Sequence, residues 1–516
     1  MKNLKFTRVK RSFFAGLVAV SALGVSQSAG AVEVSPKDIV VMSMFQDPGR
    51  LDVVSQAATS LILWLPGNVY ETLVSFDSLD QPSPGVAKSW STSADGKVWT
   101  FNIDEAKKFS DGSKITAKDV VYSLNQFKNG PILAYKGPFA NVESISAIKN
   151  AVKIKLSGKS RGFFRGMGTM AGIVMPEASE GKRNSSPIGS GPYRISEYVP
   201  GSHLLLTYNN KYTGPKPKIK TARIRFITDS PSSLLALKAG EVDALPITSS
   251  AIWSRISSEG YTKDFRKVLK PASGELHWLM FNQNRAPYNN PVFRKSIAAI
   301  VDREAYVAGL GAPKGAMVPQ CGWGIMTART FKPASKENCV IDQNISKAMA
   351  DLKSAGLDKT AIEFVGLTDV PALRLAADII TQQLRNAGLT VNRRDITLAV
   401  YSSTIFNARP PQYGMSLMGG AGNLTDFICV DTTKPGYQTF CNAEYTKIMQ
   451  KADRVISDDA GYLKLLNQAN DLLQSEAVIV PLLARTGLGL YNKKLTGWKP
   501  PLIRVEINLS NFYWTK

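Results

Sequence analysis

Between Gly85 and Phe127 the apolar and polar positions change period. Trp99-Thr100-Phe101 alternates with the period of two of a half-buried strand, whereas Val120, Val121, Leu124 and Phe127 recur at helical spacing. Asp95-Gly96 and Asp111-Gly112 punctuate this stretch, which predicts strand, hairpin turn, strand, second turn and helix. Thr116 is the expected N-cap, with Asp119 three residues on to close a capping box.

The same alternation of strand and helix patterns runs to the C-terminus, which predicts an α/β protein. Val40 to Met44 reads as a buried strand, and Leu61 to Leu73 as a helix interrupted at Pro66-Gly67. Val152 to Leu156 alternates as a half-exposed strand. Tyr193–Tyr198 and His203–Tyr208 form a hairpin closed by Pro200-Gly201. Further helices are expected with Ser230 as N-cap and Pro231 at the first position (ending at Gly240), opening at Asn290-Pro291, capped by Asp302, and over Ala372–Ala387 with Gly388 as its stop. A strand over Leu389–Arg393 follows. There is no internal repeat and no low-complexity tract.

The order Ala87-Lys88-Ser89-Trp90, Asp95-Gly96, Trp99-Thr100-Phe101, Phe109-Ser110-Asp111-Gly112, Thr116-Ala117-Lys118-Asp119-Val120 resembles the signature of the family 5 extracellular solute-binding proteins, which serve dipeptide- and oligopeptide-type ABC importers. Residues 189–219, 224–244 and 279–307 resemble later conserved blocks of that family. The resemblance implies a two-lobe periplasmic-binding-protein fold (type II, cluster C) with an extra inserted domain. The first lobe would comprise 32–75, 189–273 and 485–516, the inserted domain 76–188, and the second lobe 274–484. Ligand would lie in the cleft between lobes that close by hinge bending. The implied partners are a small solute, a short peptide above all, and an inner-membrane ABC permease. The family does no chemistry on its solutes and uses no cofactor, and a monomer is expected.

The N-terminus points to export. Lys2, Lys5, Arg8, Lys10 and Arg11 precede an apolar run from Phe13 to Val25 and the Ala29-Gly30-Ala31 pattern, which predicts a signal peptide over 1–31 and mature protein beginning at Val32. No cysteine stands near the cleavage site, so the expected location is the periplasm of a Gram-negative cell. The chain carries 63 basic and 41 acidic residues, for a formal net charge of +22. That surplus suits a solvated surface or an anionic ligand, and no nucleic-acid motif accompanies it. Four cysteines, Cys321, Cys339, Cys429 and Cys441, allow three pairings. Local bridges Cys321–Cys339 and Cys429–Cys441 close the shortest loops.

His203 and His277 are the only histidines, so a hydrolytic triad would need one of them, or a carboxylate pair such as Asp426 with Asp431 would have to act. Gly166 to Gly172 is one residue too long for a dinucleotide loop and reads as a flexible loop. The informative departure from the family lies at 415–428. Peptide-binding members carry Gly-Trp-x-x-Asp there, and the aspartate neutralises the ligand's α-ammonium. Aligned on Gly419, this chain has Gly420 at the tryptophan position and Asn423 at the aspartate position, leaving Asp426 as the remaining carboxylate. A buried ammonium without a carboxylate is costly. The alternative is an anion held by backbone N–H groups of a glycine-rich turn, with Arg285 and Arg409 nearby. Phe45, Trp278 and Tyr413 are candidate stacking aromatics.

Overall fold

The computed structural model describes residues 38–77, 81–248, 252–311, 317–319, 343–368, 370–406, 410–420, 424–429, 439–455, 459–498 and 506–515. The expected signal peptide, Cys321, Cys339, Arg409, Asn423 and Asp431 lie outside the described residues.

In chain order the strands are β1 (Ile39–Met44), β2 (Val74–Phe76), β3 (Pro82–Pro84), β4 (Ala87–Thr92), β5 (Val98–Ile103), β6 (Val142–Ile148) and β7 (Ala151–Leu156). They continue with β8 (Tyr193–Val199), β9 (His203–Tyr208), β10 (Thr221–Phe226), β11 (Ala244–Leu245), β12 (Arg266–Phe281) and β13 (Met317–Pro319). The last group is β14 (Ile362–Leu367), β15 (Val391–Ile396), β16 (Met415–Gly420), β17 (Ile479–Tyr491) and the short pair β18 (Leu495–Thr496) and β19 (Tyr513–Trp514). Strands β4 to β7 form an antiparallel sheet in the order β4-β5-β7-β6. The large sheet runs β15-β14-β16-β12-β17-β11-β1-β10-β9-β8, with β13 added beside β17.

Local chemistry accounts for most of these elements. Thr116 and Asp119 form a reciprocal capping box on the helix Ala117–Asn129, whose Val120, Leu124 and Phe127 are buried. Gly96, Gly112 and Gly201 take the positive φ that their turns demand. Asn290 and Asp302 cap the helices Pro291–Ile300 and Arg303–Gly309 as expected.

Four expectations are corrected. The first helix spans only Thr59–Trp64, because Pro66 cannot continue the ladder and Gly67 turns left-handed. The helix Ser230–Lys238 is capped by Asp229, whose carboxylate accepts from the Ser232 N–H, so Ser230 is already its first residue. The strand expected at Leu389 begins at Val391. Residues 166–172 are a packed connection rather than a loose loop: Met167, Met170 and Ala171 are buried. A Cβ on Gly166 would strike Pro138, and one on Gly172 the backbone of Met167.

Two hydrophobic cores result. One joins the four-stranded sheet (Trp99, Phe101, Ile154) to β1, β9 and β10 and to the C-terminal Trp498 and Phe512. The other gathers β12, β14, β16 and β17 with their helices, and also takes Leu234, Trp253, Ile256 and Tyr261. The four-stranded sheet therefore shares its core with the first half of the protein. The helices between 230 and 264 pack with the second.

Candidate functional site

Strand direction and register locate the site. Strands β12 and β17 pair antiparallel from Arg266 opposite Tyr491 to Met280 opposite Ile479, with the ladder interrupted between Lys270 and Glu275. At one end, Tyr491 also faces Ala244 of β11, which aligns with Met42 of the parallel β1. Strand β10 runs parallel to β1. At the other end, β16 pairs with β12 from Met415 opposite Phe281 to Gly420 opposite Leu276, and β14 and β15 run parallel to it. The carboxyl ends of β1 and β10 thus point toward the middle of β12 from one side. Those of β14, β15 and β16 point toward it from the other. Ligands of open α/β sheets bind outside the carboxyl ends of parallel strands, and here two such edges face the same level.

On the first edge, Phe45 follows β1 directly and is 41% exposed. Its segment is pinned by Asp47, whose carboxylate accepts the Tyr198 hydroxyl at 2.6 Å and the N–H groups of Gly49 and Gly201. Burial alone would push this carboxyl up, but these donors outweigh it and hold the group below its ordinary value. The hairpin β8–β9 is thereby tied to the end of β1. On the second edge, Gly419 lies opposite His277, and a Cβ there would meet the His277 ring and Leu373. His277 is buried and its Nδ1 lies 2.8 Å from the Tyr306 hydroxyl, so the ring cannot retreat freely. Arg393 grips Asp395 through two bonds of 2.7 Å and Asp378 through a third, fastening the helix Pro371–Asn386 over the end of β15.

The sequence candidates separate on this frame. Phe45, Gly419 and Gly420 lie at the facing edges, and Asp426 belongs to a short turn, Leu424–Phe427, just beyond β16. Gly419 and Gly420 are the last ladder residues of β16, and the remainder of the expected glycine-rich turn, residues 421–423, lies outside the described residues. Arg285 and Tyr413 lie at the opposite end of the sheet, beyond Phe281 and before Met415, because β12 and β16 run antiparallel. There Arg285 pairs with Glu363 at 3.0 Å and also donates to the Tyr413 carbonyl. Trp278 and Tyr413 are buried in the second core. Of the cysteines, Cys429 and Cys441 form a disulfide. The exposed apolar residues Leu375, Leu398 and Val400, absent from the sequence candidates, lie on segments leaving β14 and β15. Only the register reveals that these segments share an edge.

His203 stands between the Ser202 hydroxyl (3.0 Å) and Glu197 (3.2 Å) on the β8–β9 hairpin. Both of its partners are exposed. A separate cavity of about 570 Å³ lies among Glu71, Lys107, Tyr212, Trp498 and Glu506, away from the facing strand ends.

Comparison with known proteins agrees with this architecture. Residues 81–428 match the family described as bacterial extracellular solute-binding proteins, family 5 middle. The chain belongs to this family. It is 22% identical over 547 residues to the dipeptide-binding protein DppE of Bacillus subtilis (strain 168), covering 97% of this chain and 95% of that protein. The periplasmic binding protein DppA of Helicobacter pylori, solved in complex with peptide STSA, superposes with a TM-score of 0.73 at 20% identity, over 93% of this chain and 98% of that one. The binding protein AgaA of A. tumefaciens R10, solved in complex with agropinic acid, gives 0.73 at 22% identity, over 93% and 99%. The periplasmic-binding-protein fold is therefore that of this chain. No helix among the described residues is long and apolar enough to cross a membrane.

Proposed function

We propose that this protein captures a short peptide between the facing strand ends of its two halves and delivers it to an inner-membrane ABC permease. The observation that carries the reading is the opposition of the two carboxyl edges across β12 and β17. A solute lying there touches both halves, and bending at the interrupted middle of these two strands encloses it. The names of DppE and of the H. pylori complex support a peptide. Export through a signal peptide over 1–31 places the monomeric protein in the periplasm. Its work is binding and release. The half-buried His203, with its exposed partners Ser202 and Glu197, holds the β8–β9 hairpin and leaves the solute chemically unchanged.

A second reading follows from Asn423, which stands where peptide-binding members carry aspartate. Without that carboxylate the cleft suits a non-peptide anionic solute, whether opine-like, phosphorylated or haem-like, and AgaA was solved in complex with agropinic acid. Mass spectrometry of the solute released on denaturing protein purified from the periplasm separates the two. A peptide mass at one equivalent is expected. A stoichiometric non-peptide anion would replace the first reading by the second.

A further inference from the structure

Beyond solute capture, we propose that the face at the amino ends of β1 and β10 docks on an anionic phospholipid surface. Lys218, Lys220 and Lys494 meet there among aromatic rings. The Lys218 ammonium lies 4.2 Å from the centre of the Tyr513 ring, and that of Lys220 lies 4.8 Å from the centre of the Tyr208 ring. Backbone contacts join these residues into one surface. The Lys220 N–H donates to the Asp38 carbonyl and the Lys220 carbonyl accepts from Tyr208, each at 2.8 Å, so Lys220 sits between the start of β1 and the end of β9. Trp514 donates its indole N–H to the Ile39 carbonyl at 2.9 Å. Strand β19 pairs Trp514 with Leu495 and Tyr513 with Thr496 of β18, and the next N–H, that of Thr515, donates to the Lys494 carbonyl at 2.8 Å. Thus β19 and Thr515 carry the ring beside Lys218, the indole against β1 and the amide that holds Lys494.

The charge of this face is uncompensated. Lys218 and Lys494 are exposed and Lys220 is half-buried. Among the described residues, lysine ion pairs engage Lys107, Lys155 and Lys347, and none of these three. A ring contact orders the lysine stem while leaving ammonium hydrogens for an outside acceptor. The three lysines do not line the cavity of about 570 Å³; they lie along a face, which suits an extended sheet of phosphates better than one small anion. Lysines that reach outward beside tyrosine and tryptophan match the headgroup layer of a bilayer, where such rings settle and where basic side chains gain from anionic lipid. An acidic protein partner would ask for fixed hydrogen-bond geometry, which flexible lysines do not impose. Ile39 and Thr221 are the first residues of β1 and β10 and pair with each other. The face therefore lies at the end of these strands opposite the carboxyl edge, and docking leaves that edge open to solute.

The test is co-sedimentation of the mature protein with vesicles of phosphatidylglycerol and phosphatidylethanolamine, against vesicles of phosphatidylcholine alone, at low and at physiological salt. The unaltered protein is expected to bind the anionic vesicles, to ignore the neutral ones and to weaken as salt rises. Lys218→Glu/Lys494→Glu should lose about tenfold or more in vesicle affinity, and Lys218→Gln/Lys494→Gln, which keeps the polar stems, a smaller part of that. The control is Lys447→Glu/Lys451→Glu, which makes the same charge change at two exposed lysines of the helix Ala443–Asp453 and should leave binding nearly intact. Equal losses from the two Glu pairs would overturn the inference, because the overall positive charge would then suffice without this face. Equal binding to neutral vesicles would overturn it too, since lipid charge would not be what is recognised. Absence of binding to anionic vesicles at low salt would overturn it and leave the face to an acidic protein. None of these outcomes bears on the peptide reading, which vesicle binding does not probe.

Discussion

Asp453 accepts the backbone N–H of Gly162 at 2.9 Å, a contact between residues 291 apart in sequence. Beside it, Arg161 donates to the Val455 carbonyl at 3.2 Å and its guanidinium lies 4.3 Å from the centre of the Tyr462 ring. Residues 161–166 pack with the first core through Phe163, and the helix Ala443–Asp453 packs with the second through Met449 and Ala452. The contact therefore bridges the two halves away from β12 and β17. It contributes only in conformations that bring those helices together. Asp453→Ala is expected to speed solute release about tenfold, consistent with the 1.5–3 kcal/mol of a hydrogen bond to a charged group. Displacement kinetics would check this. A variant with a lower unfolding midpoint for the solute-free protein and unchanged release would mark the contact as fixed packing instead.

Gly419 illustrates a position set by packing. A side chain there meets the His277 ring, itself held by Tyr306, and Leu373. Gly419→Val should cost about 1–3 kcal/mol of stability without any solute present, the usual penalty for overpacking a core. Urea unfolding measures it, and an unchanged midpoint would refute the assignment.

How much of this was legible in the sequence depended on range. The Thr116–Asp119 capping box, the Asp-Gly turns and the Asn290 and Asp302 caps are written in neighbouring residues, and they fold as read. Asp229 was missed as a cap because Ser230-Pro231 offers an equally good local signal one residue later. The facing edges needed the register of β12 against β16 and β17, which no local pattern encodes. That is why Arg285 and Tyr413, close in sequence to recognisable blocks, lie at the far end of the sheet.

Acid stability should carry the signature of Asp52. Burial pushes its carboxyl up, but the Val54 N–H, the Ser55 hydroxyl and the Arg183 guanidinium outweigh that and hold it below the ordinary value. A folded-state value below the unfolded one stabilises the protein fully above the unfolded value, near 4, and that stabilisation fades as pH falls through the folded value. Asp52→Asn should therefore unfold at lower denaturant than the unaltered protein by a constant margin from about pH 5 upward, with the margin closing below about pH 4. A margin independent of pH down to 3 would contradict the assignment.

The account turns on a solute held between two edges that approach each other. Small-angle scattering of the mature protein, titrated with a pool of di- to pentapeptides, tests it most directly. The radius of gyration should contract saturably, reaching its limit at one peptide per chain. A scattering profile unchanged across the titration would contradict capture of peptides by closure of the two halves.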